Sequence, residues 1–515
     1  MYQICFLYIA AYLCSGTLAS CPRRCTCDSP AVTECFRVSH LPRDIPATTR
    51  KLYIRHSKIR QLQISDFSRT LGLQEVSLFS SGTDTVENNT FKALSNLKVL
   101  EIWKNKLTNI PGLLPPNLEV LKLGDNSIGF IQRHDFEGLM KLKVLEMQNN
   151  ILSMLSFNVF SALLHLQRLV LDNNGIQTIS GQARLPYLRY LSMESNNLQY
   201  LPDNFFTHFT SLQYLGLSGN QLLKIPHHLP KALQRVQLKR NKIKYIKVKD
   251  VKHLENLSEL NLSENHLSSV DGMQFLSNLS SVDLSRNQLV SLPSKLPTKL
   301  QRLDCSNNQI SRVTTHDFKG LQNLKHLFLD NNVVSQFDDR ALHWCVQLSS
   351  LAAEQNQLTS VPFGLPVSLT RLDLKGNTIE DISEVSFKNL KKLQVLNLRN
   401  NKITTLDHQV LECLTRLRHL YLDGNPWNCT CKLLTVKRIL IDKGTDIKGG
   451  QCAEPSSIRG ESWMSSDKTL RHCESMYSFD KGKESRKKLK ADELSNVETQ
   501  TEEDNDDDYD YDMEY

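Results

Sequence analysis

The sequence predicts an α/β-type solenoid. Three observations carry that prediction: a motif that returns at near-constant spacing, a cysteine cluster at each end of the repeated region, and a charge-dense C-terminus. "LVLDNNGIQ", "LGLSGNQLL", "LNLSENHLS" and "LNLRNNKIT" share the pattern L-x-L-x-x-N-x-L. Its asparagine falls at 105, 126, 150, 174, 196, 220, 241, 265, 287, 308, 332, 356, 377, 401 and 425, and serine takes its place in two earlier copies, Ser57 and Ser81. Seventeen in-register units at spacings of 21, 22 or 24 make a leucine-rich-repeat array over residues 51–425. The expected form is a horseshoe with a parallel, concave β-sheet, disulfide caps at both ends and a disordered acidic tail.

Each part of a repeat has a physical reason. Alternating leucines turn one strand face inward, and neighbouring turns pair as a parallel sheet. The asparagine is polar inside an apolar frame, so its amide must bond the backbone of adjacent turns. The 24-residue units carry F-x-x-L, as in "DFEGLMKLKVL", whereas the 21-residue units carry paired prolines, as in "IPGLLPPNL", "IPHHLP", "LPSKLP" and "VPFGLP". Proline suits extended backbone with no ladder bond to donate.

No single repeat owns a core, so the ends need caps. Cys21, Cys25, Cys27 and Cys35 form C-x3-C-x-C-x7-C within residues 20–50, and Cys429, Cys431, Cys452 and Cys473 form C-x-C-x20-C-x20-C within residues 426–473. Both suit an oxidising compartment. The absence of C-x2-C pairs argues against zinc, so no metal and no cofactor is expected. Ahead of the first cap, "MYQICFLYIAAYLCSGTLAS" has an apolar run from Ile4 to Leu13, with Thr17 and Ala19 as small cleavage-site residues, and reads as a signal peptide over residues 1–19. Its "LASC" also fits a bacterial lipoprotein box, but Cys21 belongs to the first cysteine cluster. Later stretches fall short of the roughly 20 apolar residues that span a bilayer, so a secreted chain without membrane insertion is expected.

The chain is formally +7, yet "EEDNDDDYDYDMEY" at its end holds nine carboxylates. Without those nine charges the rest is a +16 body. Residues 474–515 read as a disordered tail, basic from Lys481 to Lys490 and then acidic. Tyr509, Tyr511 and Tyr515 sit among carboxylates, the usual setting for tyrosine sulfation, which would add fixed negative charge much as phosphorylation does. A plain solvated tail, or one folded back on the body's basic surface, is the alternative.

Short and long units alternating between these caps resemble the small leucine-rich proteoglycan family of the extracellular matrix. "LPRDIPATTRKLYI" with C-x3-C-x-C-x7-C is similar to that family's N-terminal cap, and the resemblance implies Cys21–Cys27 and Cys25–Cys35 pairs. "NPWNCTCKLL" and its later cysteines look instead like the four-cysteine cap of chondroadherin and many receptors, which implies Cys429–Cys452 and Cys431–Cys473. With the polyacidic end, the chain resembles a divergent member whose kind implies inhibition of TGF-β signalling through ligand or receptor binding. The alternative is a chondroadherin-like matrix organiser that binds collagen and cell surfaces. Ser-Gly pairs lie inside the array, so a glycoprotein is expected rather than a proteoglycan.

Candidate contact residues follow from the strand pattern. Arg55, Phe79, Trp103, Gly124, Gln148, Asp172, Glu194, Ser218 and Lys239 form one exposed column, in which adjacent Phe79 and Trp103 are partner-binding candidates. The N-terminal cap or a glycan packing over these two is the alternative. Phe328, flanked by His326 and Asp330, and Tyr421 near the C-terminal cap are two more. "KRNKIKYIKVKDVKH" concentrates Lys239, Arg240, Lys242, Lys244, Lys247, Lys249 and Lys252, a candidate site for heparan sulfate or another polyanion, with solvated lysines that have no partner as the alternative. Nucleic acid is disfavoured by the compartment. Sequons occur at Asn88, Asn256, Asn261, Asn278 and Asn428, of which Asn428, beside Cys429, is the poorest substrate. A glycan on Asn261 would project into the concave face. Cys305 replaces a strand leucine, Cys345 an outer leucine, and Cys413 sits beside such a position; they read as buried free thiols, and the odd count leaves intermolecular pairing as the alternative. The sequence holds no H-E-x-x-H, phosphate loop or G-x-S-x-G elbow, and the reading is of a binding protein, not an enzyme.

Overall fold

A computed structural model describes residues 21–29, 31–464 and 466. The signal-peptide reading, Cys473, the basic and acidic tail, and Tyr509, Tyr511 and Tyr515 lie outside the described residues. The described residues divide into two compact units, one within 21–357 with 362–371 and the other within 358–361 with 372–466.

In the first unit the strands run from Val32–Phe36 and Lys51–Arg55 to His326–Phe328 and Ser350–Ala352, each parallel to and in register with the next. Leucines at alternate strand positions, such as Leu169 and Leu171, are fully buried beneath this sheet. The second layer comes from the long units, whose phenylalanines pack along the outer side: Phe67 on Phe91 at 5.4 Å, Phe136 on Phe160 at 5.6 Å, Phe157 on Phe205 at 4.6 Å. Such aromatic contacts add to area burial by about 0.5–1.5 kcal/mol each.

Between the two layers runs the asparagine ladder. Asn126 accepts from the Leu107 N–H at 3.0 Å and donates to the Ile102 carbonyl of the preceding turn at 2.8 Å, then to Leu123 and Gly124 in its own turn. Asn150, Asn196, Asn220 and Asn265 repeat the arrangement. Fourteen ladder positions, Ser57 to Asn356, lie in the first unit and three, Asn377, Asn401 and Asn425, in the second. The side chain turns inward because the residue before it is left-handed in every repeat, from His56 at φ 47° to Gly424 at 69°. A non-glycine residue there costs about 1–2 kcal/mol, which the ladder bonds offset.

The first cap continues the sheet. Cys21–Cys27 and Cys25–Cys35 are disulfide-bonded, and Cys25–Ser29 pairs antiparallel with Val32–Phe36. In the second unit, Val395–Asn397, His419–Tyr421 and Asp446–Lys448 form parallel pairs. Cys429 and Cys452 are bonded, and Trp427 and Trp463, both fully buried, meet edge to face at 5.9 Å. Cys431 is disulfide-bonded too, and its expected partner Cys473 falls beyond the described residues. Trp427 Nε1 donates to the Leu422 carbonyl at 3.2 Å. That carbonyl stands where Leu398 O, one turn earlier, receives the amide of Asn425. Gly450, at φ 93°, leaves room for Trp463, whose Nε1 would lie 2.8 Å from an added Cβ. Among the described residues no helix is long and apolar enough to cross a membrane.

Candidate binding face

Each strand offers outward side chains between its buried leucines, and parallel in-register pairing lines them up as columns 4.7–4.9 Å apart. In the first unit these columns are cross-braced into two aromatic centres. The first is the row Phe36, Arg55, Phe79, Trp103 on four consecutive strands. His56 meets the Phe79 ring edge-on at 5.4 Å, Lys104 Nζ lies over the same ring at 5.9 Å, and Trp103 Nε1 donates to Asp125. Arg55 is held by Glu34 at 2.6 Å. The cap strand extends this row by Phe36, 42% exposed, which lies beside Arg55 and two strands from Phe79.

The second centre was not among the sequence candidates. Tyr190 and Tyr214 stack at 4.2 Å with their planes 2° apart. Arg168 caps the stack 3.8 Å above Tyr190 while bonding Glu146 at 2.8 Å, and Arg235 lies at 5.8 Å on the Tyr214 side. Tyr214 donates to Glu194 at 3.2 Å. Next to it, Asp172 accepts from the Ser192 hydroxyl at 2.6 Å and the Glu194 N–H at 2.7 Å. Gly216 keeps this spot open, since an added Cβ would come within 2.7 Å of Glu194 Oε1 and Ser192 Oγ. The signal was in the sequence: "LRYLSM" and "LQYLGL" put tyrosine at the same offset in successive repeats.

Burial sets the electrostatics of this face. It raises the Asp172 carboxyl above the usual carboxylate range, and it raises Glu194 likewise, with the Asp172 charge adding to the effect. Burial and then the bond to Glu75 push the Tyr53 phenol up to about 12. Tyr214 is driven higher still by burial and by Glu194. Farther along, Phe328 sits under Arg302, whose guanidinium is 4.2 Å above its ring, and burial followed by Arg302 lowers His326. In the second unit Tyr421 has Arg399 at 4.4 Å, itself bonded to Asp423 at 2.7 Å. These arginine–aromatic pairs carry rigid, partly desolvated cations of the kind that anchor protein interfaces.

Three of the polyanion candidates have side-chain partners of their own. Lys239 and Arg240 both bind Glu264 at 3.1 Å, and Lys242 reaches Gln221 at 3.3 Å. Lys244, Lys247, Lys249 and Lys252 are exposed farther round the same turn. Asn261 is half-buried on its strand, its Oδ1 accepting from the Ser263 N–H and hydroxyl. Asn88, Asn256, Asn278 and Asn428 are exposed. Asn256 and Asn278 belong to an outer row, with Asn117 and Asn323, that donates to a backbone carbonyl of the preceding turn. Cys305 and Cys345 are buried free thiols and Cys413 is half-buried. Among the described residues no group of His, Cys, Asp and Glu side chains could hold a metal ion.

Comparison with known proteins agrees with this architecture. The leucine rich repeat family matches residues 116–176, 165–222, 231–289, 298–358 and 367–426. The chain is 53% identical to nephrocan of Mus musculus over 474 residues, 92% of this chain and 93% of that protein. It is 29% identical to podocan-like protein 1 of Mus musculus over 76% of this chain and 64% of that protein. The solved octameric complex of Latrophilin 3, Unc5D and FLRT2 (LRR) contains a chain similar at TM-score 0.51 and 27% identity, covering 60% of this chain and 91% of that one. Repeats, caps and the near full-length match to nephrocan together make the chain a member of the small leucine-rich proteoglycan family.

Proposed function

We propose that this is a secreted extracellular-matrix protein that binds a protein ligand on the strand face of its first unit and thereby inhibits TGF-β signalling, by engaging the ligand or its receptor. The observation that carries the binding role is the Arg168–Tyr190–Tyr214–Arg235 stack beside Asp172 and Glu194. Rings and charges already fixed by neighbours lose little entropy when a partner arrives. The FLRT2 complex, in which a similar solenoid assembles with other proteins, supports a protein partner. The TGF-β assignment rests on the family resemblance read from the sequence. A matrix organiser that bridges collagen and cells is favoured by one feature, the four-cysteine cap around Cys429–Cys452.

Purified chain in a TGF-β reporter assay tests the first reading, with Trp103→Ala and Tyr214→Ala in parallel. Inhibition that falls about tenfold or more in either variant is the expected result. A chain that leaves signalling untouched yet binds fibrillar collagen refutes it in favour of the organiser. The same reading includes a Cys431–Cys473 bond, glycans on the exposed sequons Asn88, Asn256 and Asn278, and sulfate on Tyr509, Tyr511 and Tyr515. Peptide mass spectrometry of the secreted chain checks all three.

A further inference from the structure

The outer side of the first unit holds a cleft of about 710 Å³ that the binding face does not use. It opens where a 21-residue turn, Asn220 to Asn241, is set between two 24-residue turns. One neighbour contributes Phe206 and Phe209, the other the short helix Val248–Val251, and the turn between them, "IPHHLP", has neither phenylalanine nor helix. The shorter turn therefore recedes. Phe206, Phe209, Leu229 and Pro230 make an apolar floor, and Lys231, Lys249, His227, His228 and His253 stand round it.

Hydrogen bonds decide which of these groups are committed. Lys224 Nζ donates to His227 Nε2 at 3.0 Å, so the His227 proton is on Nδ1, facing Asp250 at 3.9 Å. Asp250 is occupied further by the Lys247 N–H at 3.2 Å. His253 Nε2 donates to the Leu229 carbonyl at 2.9 Å. The side chains of Lys231, Lys249 and His228 are exposed and have no hydrogen bond or ion pair among the described residues. Asp203 is the one exposed carboxylate of the lining. The free charges of the rim are thus the ammonium groups of Lys231 and Lys249, and Asp203 is the exposed charge of opposite sign. No arginine lines it, so the planar, bidentate fork that suits peptide carboxylates is missing. Point charges over an apolar floor suit sulfate esters carried on sugar rings.

We propose that this cleft binds a sulfated glycosaminoglycan chain, its sulfates on Lys231 and Lys249 beside the exposed His228 and its rings over the floor at Phe206, Leu229 and Pro230. The site is separate from the strand face, so Trp103→Ala and Tyr214→Ala leave it unchanged. The test is binding of the full secreted chain to an immobilised heparin dodecasaccharide at physiological salt. Lys231→Glu with Lys249→Glu is compared with Lys391→Glu with Lys392→Glu, exposed lysines of the second unit that change the net charge equally. The cleft pair is expected to bind about tenfold more weakly and the control pair within about twofold of the unaltered chain. Equal losses in the two pairs would assign binding to the charge of the whole body and overturn the proposal. Should the glutamate pair not fold, Lys231→Gln with Lys249→Gln, checked by its melting curve, is expected to lose about threefold. No loss there overturns the site as well. Desulfated heparin is expected not to bind, and equal binding by it refutes the sulfate contact. A sulfotyrosyl peptide that displaces the dodecasaccharide at lower concentration than heparin itself refutes the glycan assignment.

Discussion

Replacing Asn265 by alanine isolates what one rung of the asparagine ladder contributes. Its Oδ1 accepts from the Ile243 N–H at 3.0 Å, and Ile243 is fully buried, so that donor is orphaned in the variant. On the other side, Nδ2 donates to the carbonyls of Leu238, Leu262 and Ser263. Those oxygens keep other donors: Asn241 on Leu238, Asn287 on Leu262 and the Arg240 N–H on Ser263. The loss is therefore dominated by one unsatisfied buried N–H, about 2 kcal/mol, with about 1 kcal/mol more for the missing amide bonds. Urea unfolding of Asn265→Ala is expected to show about 3 kcal/mol of destabilisation, with amide exchange at Ile243 accelerated most. Asn109→Ala, exposed and bonded only to Thr108, is expected to cost under about 0.5 kcal/mol. Asn265→Asp separates acceptor from donor. It still accepts from Ile243 but turns a second oxygen toward three carbonyls, so it donates only when protonated. That raises its folded-state pKa, and its stability should be best in acid and fall as pH rises through the carboxylate range. If Asn265→Ala costs no more than Asn109→Ala, or Ile243 exchanges as before, the ladder is not what holds the turns together.

Three further outcomes follow from burial on the strand face and in the core. Tyr53, held up to about 12, stabilises the fold below the ordinary phenol value and loses that contribution as pH climbs toward 12; absorbance titration of Tyr53→Phe should lack one late-ionising phenol. Glu194 is raised by burial and by Asp172, so its ionised form is disfavoured at neutral pH; Glu194→Gln should raise the melting temperature at pH 7 more than at pH 4, and an equal shift at both refutes the assignment. Burial pushes the Cys305 thiol well up and Cys345 up to about 12. A thiol reagent at pH 8 should modify neither in the native chain and both in urea, as read by mass spectrometry.

The strands and the ladder were legible because each repeat states them twice, once as leucine alternation and once as a polar residue that has to be satisfied. Phe79, Trp103 and Phe328 were legible for the same reason, since their offset from the strand leucines fixes their side of the sheet. Tyr190 and Tyr214 were not legible as a pair because a single repeat does not show what adjacent strands do to each other. Their stack exists only through in-register pairing, and Arg168 completes it from a third turn. The partners within the lysine run were not legible: Glu264 and Gln221, which bond Lys239, Arg240 and Lys242, come from neighbouring turns. The cleft needed three turns to be superimposed: its short unit was visible in "IPHHLP", but Lys231 and Lys249 meet only when unequal outer segments are stacked.

The bond from Trp427 to the Leu422 carbonyl gives the second unit a direction. Asn401 completes the turn of Leu374, Asn425 completes that of Leu398, and each turn is thus finished by the one synthesised after it. A growing chain would always carry one incomplete turn at its trailing edge until the indole of Trp427 arrives to terminate the series. Whole repeats could then be gained or lost upstream without altering the terminator. A chain cut between Asn425 and Trp427, by contrast, would leave the Leu422 carbonyl with the Asn425 amide alone, one donor short of the Leu398 carbonyl a turn earlier.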